Sequence, residues 1–202
     1  MIPAPTARLR FREMAEADLD LMAGLLGDPE VMRFYPRPKT REEAREWIAW
    51  NRRNYATHGY GLWIVETHEG RFVGDCGLTW QPVGEVRHLE VGYHVVPALQ
   101  GRGYATEAAR ACVDLATGPI GAGHVIAIID PANRASRAVA AKLGMRVAQE
   151  TAVRGRPAVI YGLGELPDAP AALGVGAAPG FRVRCGDGSI PTADVADVPD
   201  DD

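Results

Sequence analysis

Val91-Gly92-Tyr93-His94-Val95-Val96-Pro97-Ala98-Leu99-Gln100-Gly101-Arg102-Gly103-Tyr104-Ala105-Thr106-Glu107-Ala108-Ala109 reads as a strand, a glycine turn and a helix in succession. Before Pro97 the residues are mostly β-branched or aromatic, and Pro97 closes the strand because it has no N–H to give to a ladder. After the turn, Ala105, Ala108, Ala109, Cys112, Leu115 and Ala116 recur at helical spacing, so one stripe of the helix faces a core. Gly101 and Gly103 remove side chains where a backbone approaches something closely, and the free N–H groups of a helix start favour anions, above all phosphates.

Such a turn serves several cofactor classes. A nucleotide-binding phosphate loop ends in Gly-Lys-Ser/Thr, whereas this one continues Gly103-Tyr104-Ala105. A dinucleotide fingerprint follows the first strand of a βαβ unit, whereas this turn lies mid-chain after several strands.

Outward from the turn, the chain alternates clear signals. Leu9 and Phe11 alternate with Arg8, Arg10 and Arg12, the pattern of a half-buried strand. Asp18 to Leu26 predicts a short amphipathic helix ended by Gly27 and Pro29, and Phe34-Tyr35-Pro36-Arg37-Pro38 predicts a loop. Thr40 with Glu43 forms a capping box for a second helix, from about Arg41 to Ala56, that carries Trp47, Ile48 and Tyr55. Strands are expected at Gly61–Thr67, Arg71–Thr79 and Val86–Val96, joined by His68-Glu69-Gly70 and by Gln81-Pro82-Val83-Gly84-Glu85 as an antiparallel meander. Val125–Ile129 is a continuous apolar run, suited to a strand buried on both faces and parallel to its predecessor. Asn133 to Leu143 predicts a helix stopped by Gly144, and Met145–Val153 with Ala158–Leu163 predicts a hairpin across Arg154-Gly155-Arg156-Pro157.

Composition bounds the function. The chain has 202 residues, 47% hydrophobic, and a net charge of −4, so one core-forming domain with some excess length is expected. Residues 1–6 read as a leader, residues 7–163 as the domain, and residues 164–202 as an acidic Ala/Gly/Pro-rich tail with too little apolar surface to order itself. The balance without the tail is weakly positive, which gives no nucleic-acid-binding character. No apolar run has membrane-spanning length and the N-terminus lacks a signal-peptide layout, so a cytoplasmic protein without a membrane partner is expected. Cys76, Cys112 and Cys185 are scattered, without metal-site or disulfide spacing, and no metal is expected.

Two segments carry a family resemblance. Gln100, Gly103 and Ala105 match the Gln/Arg-x-x-Gly-x-Gly/Ala acyl-CoA loop of the GCN5-related N-acetyltransferase (GNAT) family. Asn133-Arg134-Ala135-Ser136 through Lys142-Leu143-Gly144-Met145 resembles the segment found in its ribosomal-protein N-terminal acetyltransferase subgroup. The element order over residues 7–163 is concordant with both. The resemblance implies a mixed α/β fold, with a mostly antiparallel sheet of about seven strands flanked by four helices and a splay between the fourth and fifth strands. It further implies acetyl-CoA as co-substrate and an acyltransferase that moves acetyl to a primary amine in a ternary complex. The amine is a protein N-terminus or a small molecule, and a homodimer stays open. A non-catalytic acyl-CoA sensor or scaffold of the same fold is the alternative.

By the same resemblance, backbone amides over Gly101, Arg102, Gly103, Tyr104, Ala105 and Thr106, with Gln100, hold the pyrophosphate. The pantetheine arm lies along Tyr93, His94 and Val95, with Asn133 and Ser136 opposite. An amine of pKa near 8 to 10 needs a base to react at neutral pH. Glu90 is the first choice, since it precedes the cofactor contacts on the same strand; strand alternation places His94 on its face as the second, with Asp75 and Glu85 weaker. The alternatives for Glu90 are a solvated strand carboxylate or a partner for Arg87. A Val95 N–H is the oxyanion candidate. Where family members carry a tyrosine acid, this chain has Ala140, so Ser136, a water or no acid serves the leaving thiolate. Phe34 and Tyr35 are expected at the substrate mouth, whereas Trp47 and Ile48 are expected to pack helix against sheet.

Overall fold

The computed structural model describes residues 1–166; the expected disorder of the tail beyond them, and Cys185 within it, lie outside the described residues. One sheet runs β1(Leu9–Arg12), β2(Leu62–Thr67), β3(Phe72–Val83), β4(Val86–Val95), β5(His124–Ile129), β7(Arg156–Gly164), β6(Arg146–Val153) in spatial order. Every neighbouring pair is antiparallel except β4 and β5, whose one registered pair is Glu90 with Ile126. The helices are α1(Leu19–Leu26), α2(Arg41–His58), α3(Tyr104–Thr117) and α4(Arg134–Lys142). The expected mixed α/β architecture, with seven strands, four helices and the opening between the fourth and fifth strands, is therefore what the described residues form.

The third strand differs from the sequence-based expectation. It continues through Gln81-Pro82-Val83 rather than ending at Thr79, and Gly84-Glu85 alone makes the turn. Alternation of buried residues persists to Val83, and Pro82 is tolerated near the strand's end, where ladder bonds are few. Because the turn has two residues, Val83 faces Val86, Thr79 faces Glu90 and Asp75 faces His94. That register builds the site below.

The two faces of the sheet bury different helices. Leu89 and Val91 of β4 and Val125, Ala127 and Ile129 of β5 pack with Ala108, Ala109, Cys112 and Val113 of α3 and with Ala140 of α4. The opposite face seats Leu62 and Ile64 against Met22, Leu25 and Leu26 of α1 and Ile48 of α2. Helix α2 begins as the capping box requires, with the Thr40 side chain accepting from the Glu43 N–H, and ends on Gly59 at φ +80°. Alternation puts Glu90, Gly92 and His94 of β4 on the α1–α2 face, where the cleft opens beside β5.

Two further devices fix the first strand. Arg12 on β1 makes a two-point pair with Asp18 at 2.7 and 2.8 Å and also reaches Glu66 at 3.0 Å. Thr6, at the end of the expected leader, donates to Glu107 of α3 at 2.6 Å and so ties the chain's start to the glycine turn.

Candidate functional site

A cleft of about 650 Å³ runs across the carboxyl end of β4 and along the opening between β4 and β5. It is lined at one end by Gln100, Gly101, Gly103 to Thr106, Asn133 and Ala135, Ser136 and Val139 of α4, and at the other by the loop before α2, Trp47, Trp50, Thr79, Gln81 and Arg154.

The first end is a row of backbone donors. Gly101 and Gly103 adopt φ +73° and +82°, conformations that cost an L side chain about 1–2 kcal/mol. They turn the chain sharply from the short helical turn Pro97–Leu99 into α3, whose N-cap is Gly103. Among the described residues no backbone carbonyl accepts from the N–H groups of Gly101 through Thr106; the first intrahelical bond is Glu107 N–H to Gly103. Six consecutive free amides at a helix start suit a pyrophosphate. Arg8, just before β1, braces this turn: it pairs with Glu107 at 2.5 Å, donates to the Arg102 carbonyl at 3.0 Å, and lies 4.5 Å over the Tyr104 ring.

The middle of the cleft is the splayed edge of β4. The Val96 N–H bonds to Val73 and the His94 N–H to the Asp75 carboxylate, both on the β3 side. Alternation therefore turns the Val95 N–H and carbonyl toward the opening, where the Gln100 side chain donates to that carbonyl at 3.0 Å. Across the opening, the Tyr93 hydroxyl donates to the Ser136 carbonyl at 3.2 Å. Asn133 acts as the N-cap of α4, its side-chain oxygen accepting from the Ser136 N–H at 3.0 Å.

Glu90 stands in the fork of the splay. It is the last β4 residue paired with β5, and its carboxylate accepts from the Ile128 N–H at 3.3 Å, filling the ladder position that the diverging strands have lost. Desolvation pushes its pKa up to about 7, against smaller lowering effects from the Ile128 N–H, Arg154 and His94. Arg87 does not pair with it. Glu85 sits exposed at the β3–β4 turn, away from the cleft.

A polar chain crosses the acceptor end. The Asp75 carboxylate, 1% exposed, receives the His94 Nδ1–H at 2.7 Å and the Trp47 indole N–H at 3.2 Å. With Nδ1 so engaged, neutral His94 presents Nε2 as an acceptor, and the Tyr35 hydroxyl donates to it at 2.8 Å. The Tyr35 ring is 43% exposed, but desolvation of its hydroxyl inside the cleft raises that group, with the Glu90 and Asp75 charges adding to it. Phe34 and Tyr35 line the cleft; Ile48 packs helix to sheet as expected, and Trp47 does both, packing against the same core while its indole lines the cleft. Trp47 is placed by α2 so that its indole N–H finds a buried carboxylate, a contact that helical periodicity does not reveal. Asp75 emerges as a positioning group for His94. Ala140 is fully buried under α4 and takes no part in the cleft chemistry.

A family profile described as "Acetyltransferase (GNAT) domain" matches residues 8–146. The chain belongs to that family. It is 39% identical over 158 residues to YkkB of Bacillus subtilis, an alignment covering 77% of this chain and 92% of that protein. It is 37% identical over 150 residues to an FsC-acetyl coenzyme A-N(2)-transacetylase of Aspergillus fumigatus, covering 69% of this chain and 63% of that one. Among solved structures, an acetyltransferase from Agrobacterium tumefaciens superposes with a TM-score of 0.71 at 24% identity, over 82% of this chain and 95% of the other. The ribosomal-protein-S5-alanine acetyltransferase of Vibrio fischeri superposes at 0.62 with 15% identity, over 81% and 96%. These two show a shared fold. GNAT acetyltransferases use acetyl-CoA, and the free amides and splayed edge suit it. Among the described residues no group of His, Cys, Asp or Glu is arranged to hold a metal ion, and no helix is long and apolar enough to cross a membrane.

Proposed function

We propose that the protein transfers acetyl from acetyl-CoA to a primary amine directly, in a ternary complex, with Glu90 as general base. The observation that carries this reading is the position of Glu90: a carboxylate in the fork of the splay, held near pKa 7, beside the backbone edge along which the pantetheine arm would run. A base with that pKa is half ionised at neutral pH and can take a proton from an ammonium, directly or through a water.

The amides from Gly101 to Thr106 hold the pyrophosphate, the exposed edge of Tyr93 to Val95 orients the arm, and Asn133 with Ser136 borders it from α4. The Val95 N–H, turned into the opening, stabilises the oxyanion that forms when the amine nitrogen attacks the thioester carbonyl. Carbon–sulfur cleavage then releases the CoA thiolate, and the proton lost by nitrogen passes to Glu90. A thiolate of pKa near 8.5 leaves without a strong acid, consistent with Ala140 where relatives carry tyrosine. Through its Nε2, His94 keeps Tyr35 across the acceptor end and serves as a second proton acceptor. The likeness of the Asn133–Met145 segment supports a place in the ribosomal-protein acetyltransferase subgroup, and a cytoplasmic location accords with it.

The test is release of CoA thiol from acetyl-CoA on addition of amines, with the acetylated product identified by mass spectrometry. Turnover supports transfer. Tight acetyl-CoA binding without turnover over a broad amine panel would replace it with the sensor reading, which the absent tyrosine favours.

A further inference from the structure

We infer that the acceptor amine carries an oxyanion, a carboxylate or a phosphate, which Arg154 receives; this rests on the transferase reading above. Arg154 occupies the β6–β7 turn at φ +50°, and it alone among the described non-glycine residues has a positive φ. That turn lays its side chain across the acceptor end of the cleft, where it donates to the Gln81 side-chain oxygen at 2.9 Å. Gln81 is 8% exposed, and its amide also donates to Thr79 at 3.1 Å, so the guanidinium rests on a fixed polar seat. Thr79 faces Glu90 and Gln81 lies two residues further along β3, which puts the seat about 7 Å from the base.

Charge pairing separates Arg154 from several other arginines, including Arg156 beside it at the cleft. Arg8 pairs with Glu107, Arg10 and Arg12 with Glu66, and Arg156 with Asp130. Among the described residues no carboxylate lies within ion-pair distance of Arg154, nor of Arg33, which stacks 4.8 Å from the Phe34 ring at the same end of the cleft. A guanidinium held on a neutral amide keeps most of its planar donors free, and those donors match a carboxylate or phosphate. Arg154 also acts favourably on the ionised form of Glu90 and on the Tyr35 phenolate, so its field reaches the reacting region.

The same charges disfavour polycations. A polyamine or aminoglycoside would bring a second ammonium toward two unpaired guanidiniums and a Glu90 that is half neutral at pH 7. An amine with its own oxyanion brings the complement, and the indoles of Trp47 and Trp50, 5.2 Å apart, favour an apolar body between the two ends.

Matched acceptors test this: phenylalanine against phenethylamine, which differ by one carboxylate, and phosphoethanolamine against ethanolamine, with spermidine alongside. The expected result is a kcat/KM at least about tenfold higher for one oxyanion-bearing member over its partner. Which pair shows it identifies the oxyanion. In Arg154→Met that ratio falls toward one, and Arg154→Lys restores part of it. A ratio taken within one variant is insensitive to partial misfolding. Calorimetric binding of the same pairs to CoA-saturated protein reads the preference without turnover, so failure of catalysis and failure of the oxyanion site are distinguishable. Equal use and equal binding within both pairs, or a preference that survives Arg154→Met unchanged, overturns the inference.

Discussion

Asp75 and His94 face each other across β3 and β4, and the carboxylate grips the residue twice, at its backbone N–H (3.2 Å) and at imidazole Nδ1 (2.7 Å). The grip fixes the ring's tautomer and directs Nε2 to Tyr35, a hydroxyl from a loop 59 residues away in sequence. The first prediction follows from this chain. In Asp75→Asn the amide still accepts from the backbone but no longer favours an Nδ1–H so strongly. Turnover should fall about tenfold with acetyl-CoA affinity unchanged, and Tyr35→Phe should raise the acceptor KM more than it lowers kcat. Steady-state kinetics with each substrate varied checks both; a loss confined to acetyl-CoA binding would contradict them.

Glu90 predicts a pH profile. As the base, it works when ionised, so kcat/KM should rise with pH through about 7 and level off above, until another group titrates. Glu90→Gln should remove that limb and reduce kcat by about 10²–10⁴ while sparing acetyl-CoA binding. Unchanged turnover would remove Glu90 from the mechanism.

Stability should respond in the opposite sense. Glu90 is raised from 4.5 to about 7, so folding favours its protonated form. Its cost is absent below pH 4.5, grows through the window up to about 7 and is full above it. Glu90→Gln should therefore stabilise the protein above pH 7, by about 1–2 kcal/mol once the half-buried position is discounted, and be near neutral at pH 4.5. Thermal melts at both pH values decide it.

How much of this was legible in the sequence depends on range. Helix starts such as Thr40 with Glu43, and the glycine turn at Gly101–Gly103, are set by neighbours within a few residues, and these formed as read. The Asp75–His94–Tyr35 chain depends instead on register, which follows from whether Gln81 to Glu85 is a loop or Gly84-Glu85 a two-residue turn. Taken as a two-residue turn, Val83 pairs with Val86 and every step inward follows until Asp75 meets His94. Trp47 illustrates a different limit. Its helical position fits core packing and the cleft alike, and the side chain serves both, packing against the α1–α2 core while its indole N–H reaches the buried Asp75 carboxylate. Arg154 is invisible for a third reason, because its role depends on a turn conformation and on Gln81, far away in sequence.

Gly103 supplies a backbone prediction. At φ +82°, Gly103→Ala adds about 1–2 kcal/mol of strain, and its Cβ would meet the Arg8 guanidinium at an ordinary 3.5 Å. The fold should tolerate that, with a modest loss of acetyl-CoA affinity. Gly103→Glu adds a negative charge where the pyrophosphate is held and should abolish binding. Calorimetric titration with CoA separates strain from charge.

The brace that Arg8 provides from just before β1 gives the last prediction. Arg8 reaches the acyl-CoA loop through the Arg102 carbonyl and the Tyr104 ring, and Glu107 holds Arg8 while also accepting from Thr6 and the Arg8 N–H. Neither side chain belongs to the row of amides, so both act through the loop's conformation. Exposure of Arg8 limits the pair's worth to stability. Arg8→Met and Glu107→Gln should therefore each raise the KM for acetyl-CoA about three- to tenfold, with kcat at saturation little changed and melting temperature lowered only slightly. Because both variants break the same contact, their effects should be strongly non-additive in a double-mutant cycle. Additive effects, or a loss of kcat equal to the loss of affinity, would show that Arg8 does not act by bracing the loop.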